Sequence, residues 1–120
     1  YPGDRPLVPH WTSVILNSPA VFRFTGSACP ERHLRAAEVL GASVKGASLV
    51  DAGKILADQI TKFMRELNVP NGLSGIGYEL SDIPALVAGT LPQHRVTKLS
   101  PRPADEDALA AMFEDAMTAW

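Results

Sequence analysis

An amphipathic pattern runs through residues 48–68, SLVDAGKILADQITKFMRELN. At about 100° per residue, one helical face collects the apolar and small residues; these are Leu49, Ala52, Gly53, Leu56, Ile60, Phe63, Met64 and Leu67. The opposite face is charged, and Asp58 and Lys62 on it are spaced for an i,i+4 ion pair. Ser48 is suited to cap the N-terminus. The stretch therefore predicts a helix of about twenty residues that buries one face against other helices.

The upstream sequence predicts two further helices. Residues 14–24, VILNSPAVFRF, are apolar on nearly every side, and Pro19 argues against a central strand. We expect one buried helix here, with a kink near Pro19. Pro30, a residue that suits the first position of a helix, begins PERHLRAAEVL, and we expect this helix to end at Gly41.

The downstream sequence continues the helical pattern. Ser81 is expected to cap a helix over DIPALVAGTL, and Asp105 is expected to cap the last helix. Between them, residues 94–103, HRVTKLSPRP, are expected to form a basic loop bracketed by prolines. Six helical segments with short connections and no clear strand predict an all-α, multi-helix, bundle-like domain.

Length and charge restrict the possibilities. The 120 residues fit a single domain, and a formal net charge of −2 gives no electrostatic reason to expect nucleic acid or an anionic membrane as partner. The lone Cys29 has no disulfide partner within the chain, which favours a reducing compartment. The chain opens on a Pro- and Gly-rich run over residues 1–10 without an initiator methionine, so we expect an extended lead-in and a segment of a longer protein.

Short catalytic motifs are absent from the sequence, so the three histidines are the first candidates for chemistry. His33, among charged residues, is expected to be a solvated side chain. For His94, in the basic loop, a surface role and a substrate contact both stay open. His10 follows Pro9 and begins an apolar helix, where it is either a metal ligand or a half-buried imidazole bonded to a backbone carbonyl. One histidine alone makes no metal site.

A longer pattern covers essentially the whole chain. It comprises PLVPH before an apolar helix, then PAVFRFT, ACPERHL, AEVLGA, DIPALVAGTLPQHRVTKLSPRP and a last helix beginning DEDALAAMF. This pattern resembles the C-terminal part of an iron-containing alcohol dehydrogenase, and within that family it is most similar to the hydroxyacid-oxoacid transhydrogenase branch. Its most specific stretch is residues 82–103.

The resemblance implies a fold and a metal. Members of the family have an N-terminal α/β domain that binds NAD(P), and a C-terminal helical domain of the dehydroquinate synthase-like type, to which residues 1–120 would correspond. Their divalent metal, iron or in some cases zinc, is held by one aspartate and three histidines. Pro9 and His10 match the last of these ligands, so the resemblance implies that His10 binds metal. The other ligands and the cofactor-binding residues would lie upstream of Tyr1, and we expect the isolated chain to be inactive.

The resemblance also implies hydride transfer, with the metal acting as a Lewis acid on the alcohol or carbonyl oxygen. The substrates would be an alcohol, a small hydroxyacid such as 4-hydroxybutyrate, and a 2-oxoacid such as 2-oxoglutarate. Carboxylates favour cationic partners, so Arg95, Lys98 and Arg102 are candidate substrate-binding residues. Alternatively, these three side chains tie the loop to neighbouring helices or face water. No catalytic residue is assigned.

One residue departs from the family pattern. Where the family has glycine after the last histidine ligand, this chain has Trp11, whose side chain would fill or distort the cavity beside the metal. A competing hypothesis is therefore a non-catalytic helical module, derived from the family, that dimerises or binds a partner through exposed apolar surface. A third is that the upstream half is a separate chain. Homo-oligomerisation stays open, and the expected location is the cytoplasm for a bacterial protein and the mitochondrion for an animal one.

Overall fold

The computed structural model describes residues 9–120, apart from the side chains of Arg95 and Val96. Six α-helices occur in this part of the chain: α1 (His10–Thr25), α2 (Pro30–Val39), α3 (Ala52–Glu66), α4 (Ile83–Thr90), α5 (His94–Thr97) and α6 (Glu106–Asp115). Short 3-10 turns lie at Leu49–Asp51, Ser74–Ile76 and Leu80–Asp82. No strand is found within residues 9–120, and the all-α prediction is confirmed. The expected lead-in over residues 1–8 lies outside the described residues.

Helix α3 is the centre of the fold, as its amphipathic pattern predicts. Both α1 and α2 pack against it, while α6 packs against α1 and α4. Its buried residues are Ala52, Gly53, Leu56, Ala57, Ile60 and Met64. Leu49 and Leu67, which the pattern placed on the same face, are instead 48% and 74% exposed. They lie before and after α3, where the helical periodicity that predicted their burial no longer holds.

Two glycines set the closest approach between α1 and α3. A Cβ atom added to Gly26 would lie 2.5 Å from the Cα of Gly53, and one added to Gly53 would lie 2.6 Å from the carbonyl oxygen of Phe22. These are backbone contacts, so no side chain can move aside to make room. Helix α3 therefore begins against the end of α1 and packs back along it.

Helix α1 is buried on one side only, which corrects the expectation of a fully buried helix. Residues such as Leu16 and Ala20 face the core, whereas Trp11, Val14 and Val21 are exposed. The reason is that α3 and α6, the main elements in contact with α1, cover only the side that carries Leu16 and Ala20. The helix continues through Pro19 without ending. None of the helices in residues 9–120 combines the length and apolar character needed to cross a membrane.

The capping residues of the last helices agree in part with the prediction. The Asp105 carboxylate accepts a hydrogen bond from the backbone N–H of Ala108 at 2.8 Å, as expected. Ser81 does not cap α4: it lies within the 3-10 turn before that helix, where the Asp82 carboxylate accepts from the N–H of Glu79 at 2.7 Å. The expected basic loop also contains a helical turn, α5, because its prolines lie outside His94–Thr97 and leave that backbone free to coil.

Candidate functional site

His10 is the first residue of α1, and its side chain is exposed. The backbone around it is held firmly. The carbonyl of Pro9 accepts hydrogen bonds from the N–H groups of Thr12 (3.0 Å) and Ser13 (3.2 Å), and the hydroxyl of Ser13 donates to the His10 carbonyl at 2.7 Å. No polar group of the described residues bonds to the imidazole itself. The half-buried, carbonyl-bonded alternative therefore does not describe His10.

The donor atoms near His10 are too few for a complete metal site. Residues 9–120, as described, contain no group of three His, Cys, Asp or Glu side chains that could hold a metal ion. A catalytic metal usually takes three or more protein ligands. An exposed imidazole with no bond to the described residues fits one ligand position, and the remaining ligands would have to come from residues other than these.

His33 is buried, which corrects the prediction of a solvated side chain. It is 7% exposed, with Nε2 2.8 Å from the hydroxyl oxygen of Thr25 and Nδ1 2.8 Å from the carbonyl oxygen of Cys29. A carbonyl oxygen only accepts, so Nδ1 carries a proton, and in the neutral ring Nε2 accepts from Thr25. The sequence signal for this burial was the position of Ala37, which lies one turn after His33 and so on the same face of α2. The structure shows that both residues are buried.

The described side chains of the basic segment, residues 94–103, contact two different parts of the fold. The Arg102 guanidinium donates to the carbonyl of Phe24 at 3.1 Å and stacks 4.3 Å from the centroid of that ring. Phe24 is fourteen residues beyond His10, which at 1.5 Å per residue is about 21 Å along α1. This position favours the alternative role for Arg102, in which it ties the loop to a neighbouring helix.

His94 and Lys98 are exposed and line an open groove of about 840 Å³ together with Thr97, Ser100 and Asp105. His10 is not among the residues that line it. The side chain of Arg95 lies outside the described part of the chain, so its predicted substrate contact stays a prediction, as does that of Lys98. The structure thus brings two of the candidate residues together and leaves His10 apart from their groove.

Sequence analysis did not single out the exposed side of α1. We call Trp11, Val14, Ser18 and Val21 the open face of α1, because these residues recur at helical spacing on the side away from the buried Leu16 and Ala20. At its far end, Val21 lines a mainly apolar groove of about 310 Å³ between α1, α4 and α6. Val14 and Val21 were interpreted as part of a buried helix, whereas Trp11 was noted as a departure from the family pattern and in favour of a partner-binding surface.

Comparisons with known proteins place this geometry in a family. Residues 7–117 match the model of the Fe-containing alcohol dehydrogenase family, C-terminal. The hydroxyacid-oxoacid transhydrogenase, mitochondrial, of Xenopus laevis is 62% identical over 117 residues, which cover 98% of this chain and 25% of the relative. The human protein of the same description is 57% identical over the same shares. The probable enzyme of Dictyostelium discoideum is 56% identical over all of this chain and 22% of its own length.

A solved structure agrees with the sequence matches. The crystal structure of a 1,3-propanediol oxidoreductase superposes with a TM-score of 0.81 and 28% identity, over 91% of this chain and 28% of that chain. This chain thus spans about a quarter of the length of the relatives that it matches. The chain belongs to the Fe-containing alcohol dehydrogenase family and matches the C-terminal part of its members.

Proposed function

We propose that this chain is the C-terminal helical domain of a metal-dependent oxidoreductase of the hydroxyacid-oxoacid transhydrogenase type. The observation that carries the proposal is the exposed imidazole of His10, at the start of a helix whose backbone is fixed and with no bond to the described residues. The identity of 62% to a transhydrogenase over nearly the whole chain supports the same reaction class.

In the proposed reaction, a hydroxyacid or alcohol loses a hydride from its hydroxyl carbon and a proton from its hydroxyl group. A nicotinamide cofactor would accept the hydride or pass it on to an oxoacid, which would also take up a proton and become the corresponding hydroxyacid. A divalent metal, iron or zinc, would supply Lewis acidity toward the substrate oxygen. Within this chain, His10 would hold that metal, while NAD(P) would be bound mainly by a domain that these residues do not include.

The geometry around His10 suits this role. The two hydrogen bonds to the Pro9 carbonyl and the bond from Ser13 fix the first turn of α1. The rest of α1 packs on α3 through buried residues such as Leu16 and Ala20. A ligand on such a support keeps its position when a substrate binds, which is what preorganised metal sites need.

Metal content of the full-length protein tests the proposal. The wild type is expected to hold about one divalent metal per chain, and His10→Ala to lose the metal together with at least about a hundredfold of its activity, since even residues behind a ligand can have effects of that size. His94→Ala is the matched control and is expected to keep its metal. Full metal occupancy in His10→Ala would contradict the proposal.

The 120-residue chain alone is expected to be inactive, because its described residues offer one candidate metal ligand and the NAD(P) site is proposed to lie in another domain. We would assay it with 4-hydroxybutyrate and 2-oxoglutarate, and determine the intact mass and metal content of the protein from its native source. Sustained turnover by the chain alone, or a metal-free native protein of about the 12.9 kDa of this chain, would refute the enzymatic proposal.

A second candidate is a non-catalytic module that dimerises or binds a partner. The observation in its favour is the open face of α1, where Trp11, Val14 and Val21 expose apolar surface. Sedimentation of the metal-free chain at several concentrations tests the dimerisation form of this candidate, which is expected to self-associate without metal; metal in the native protein would favour the first candidate instead. As to location, we propose the mitochondrion if the source is an animal and the cytoplasm if it is a bacterium.

A further inference from the structure

An open cavity of about 370 Å³ lies where the start of α3 meets the end of α1. Three basic side chains line it, and each comes from a different element: Arg23 from α1, Lys54 from α3 and Arg102 from the segment between α5 and α6. Asp58 is the one carboxylate among the described residues of the lining, so the lining as a whole is positively charged. The remaining lining residues are Gly26, Ser27, Val50 and Gly53.

Each of the three cations keeps donors that the described residues do not use. Arginine has five N–H donors and lysine has three. Arg23 donates through Nε to the carboxylate of Asp115, which is outside the lining, at 2.7 Å, and Arg102 donates through Nη1 to the Phe24 carbonyl at 3.1 Å. The ammonium group of Lys54 makes one hydrogen bond, to the lining carboxylate at 2.7 Å. These bonds hold the cations in place and leave further N–H groups free to bind an anion.

The glycine contact between α1 and α3 brings two of these cations close together. A Cβ atom added to Gly53 would lie 3.3 Å from the Cα of Arg23, and Lys54 is the next residue of α3. The hydrogen bond to Asp58 raises the pKa of Lys54, whereas the positive charge of Arg23 acts in the opposite direction. Two like charges near the N-terminus of a fifteen-residue helix, where the peptide dipoles also favour an anion, would be stabilised by negative charge between them.

We propose that this cavity binds a phosphate group, either inorganic phosphate or the phosphate of a small monoester. A phosphate monoester carries about −1.5 to −2 charge at pH 7 and three strong acceptor oxygens, which suits three cations from three elements. A single carboxylate would be satisfied by one bidentate arginine. The volume lies in the range of small-molecule sites, about 300 to 1,000 Å³, so a monoester has room. The inference does not depend on His10, which lies about 20 Å from Arg23 along α1.

Calorimetric titration of the full-length protein with inorganic phosphate tests the inference, at constant ionic strength and in a buffer without phosphate. The wild type is expected to show saturable binding. Arg23→Gln and Lys54→Gln are each expected to weaken it about tenfold or more, because each removes a charged hydrogen-bond donor. Lys54 is an exposed residue, so Lys54→Gln is expected to fold like the wild type even if Arg23→Gln does not.

Two control variants separate this site from other sources of binding. Lys62→Gln makes the same change of charge on the same helix, about 12 Å further along α3 and outside the lining, and is expected to bind phosphate within about twofold of the wild type. A metal ion can also bind phosphate, so the second control is His10→Ala, which removes the proposed metal ligand. It is expected to bind phosphate as the wild type does.

The same titration with glycerol 3-phosphate and with acetate identifies the ligand class. Tighter binding of glycerol 3-phosphate than of inorganic phosphate would support a monoester as the ligand, and equal binding would support the free ion. Acetate carries a single charge and is expected to bind more weakly than either. Acetate that binds as tightly as phosphate would contradict the assignment to a phosphate group.

Three results of the phosphate titration overturn the inference. The first is the absence of saturable binding up to about 10 mM phosphate. The second is an equal loss of affinity in Lys54→Gln and Lys62→Gln, which indicates a general effect of charge. The third is a loss in His10→Ala with none in Lys54→Gln, which places the phosphate on the metal. The proposed function has a separate test, the metal content of His10→Ala, so the two can fail independently.

Discussion

Helices α3 and α4 both contain many apolar residues, but α3 buries its apolar face whereas α4 buries one residue of the described structure. Helix α3 buries six of its fifteen residues, among them Gly53, which touches the backbone of α1. Helix α4, IPALVAGT, is composed almost entirely of apolar and small residues, yet only Val87 is buried within the described structure. A Cβ atom added to Gly89 of α4 would meet nothing within 4 Å.

This difference indicates which part of the domain is rigid enough to hold a functional side chain in position. Helix α3 holds α1, and α1 carries His10, so the tightly packed part of the molecule positions the proposed metal ligand. Helix α4 leads into α5 and the open groove of His94 and Lys98, a region with little buried surface. Elements with few buried apolar contacts open at lower free energy than the core. We therefore expect mutations to affect the two regions very differently.

The largest effect is expected from Gly53→Ala. The new methyl group would lie 2.6 Å from the Phe22 carbonyl oxygen and 3.2 Å from the Cα of Gly26, so α1 and α3 must separate. Overpacking against backbone is expected to lower the free energy of unfolding by about 3 kcal/mol. Urea denaturation followed by circular dichroism measures this loss.

Gly89→Ala is the matched control for that substitution. It is the same change inside a helix, but with open space around the new methyl group. Because alanine favours the helix over glycine, we expect stabilisation of about 0.5 to 1 kcal/mol. If both variants change stability by the same amount, the contrast between α3 and α4 is lost.

A smaller loss is expected from Thr25→Val. The substitution removes the hydroxyl that bonds Nε2 of His33 and leaves a buried ring nitrogen without its partner. We expect the free energy of unfolding to fall by about 1 to 2 kcal/mol. Ser18→Ala removes a hydroxyl from the same helix, where its bond to the Val14 carbonyl is exposed, and should change stability by less than about 0.5 kcal/mol. Equal effects would show that the Thr25–His33 bond contributes little.

The smallest effect is expected from Lys54→Gln, on the outer face of α3. The Lys54 ammonium donates to the Asp58 carboxylate at 2.7 Å, and this hydrogen bond, followed by the charge of Asp58, raises the pKa of Lys54. A raised pKa in the folded state stabilises the fold below the unfolded pKa, and the contribution disappears as the pH rises through the folded pKa. The urea midpoints of wild type and variant should therefore differ slightly at pH 7 and converge in strong alkali.

Lys62→Gln is the comparison for that result. The sequence paired Lys62 with Asp58, but Asp58 accepts from Lys54 one turn earlier instead. We expect Lys62→Gln to change the urea midpoint at pH 7 by less than Lys54→Gln does. A larger change in Lys62→Gln than in Lys54→Gln would restore the original pairing.

The helices and the family could be predicted from the sequence, whereas several contacts could not. Periodicity is local, so it located α3 and most of its buried face, and Asp105 as a cap follows from its neighbours. The contact between Gly26 and Gly53 depends on which helices meet and at what point. The burial of His33 depends on Thr25 of the preceding helix. Leu67 was misplaced because the end of a helix is less certain than its existence.

The candidate site, too, could be predicted from the sequence only in part. His10 was found through the resemblance, and the structure adds that its ring has no bond within the described residues. Arg102 was grouped with Arg95 and Lys98 because they are close in sequence. The structure stacks the Arg102 side chain on Phe24, outside the lining of the groove that Lys98 borders. Proximity along the chain is a weak guide to a shared site wherever the chain turns between two prolines.

Because α1 meets the backbone of α3 at one end, a small rotation there would displace the other end of α1 by several times more. Its sixteen residues span about 24 Å, with the close backbone contact at one end and His10 at the other. A tilt of about 5° at the contact would displace His10 by about 2 Å, roughly ten times the tolerance of a metal–ligand bond. Angular stiffness at the glycines, in addition to the packing of α1 on α3 and α6, would therefore be needed to keep the proposed metal ligand His10 in position.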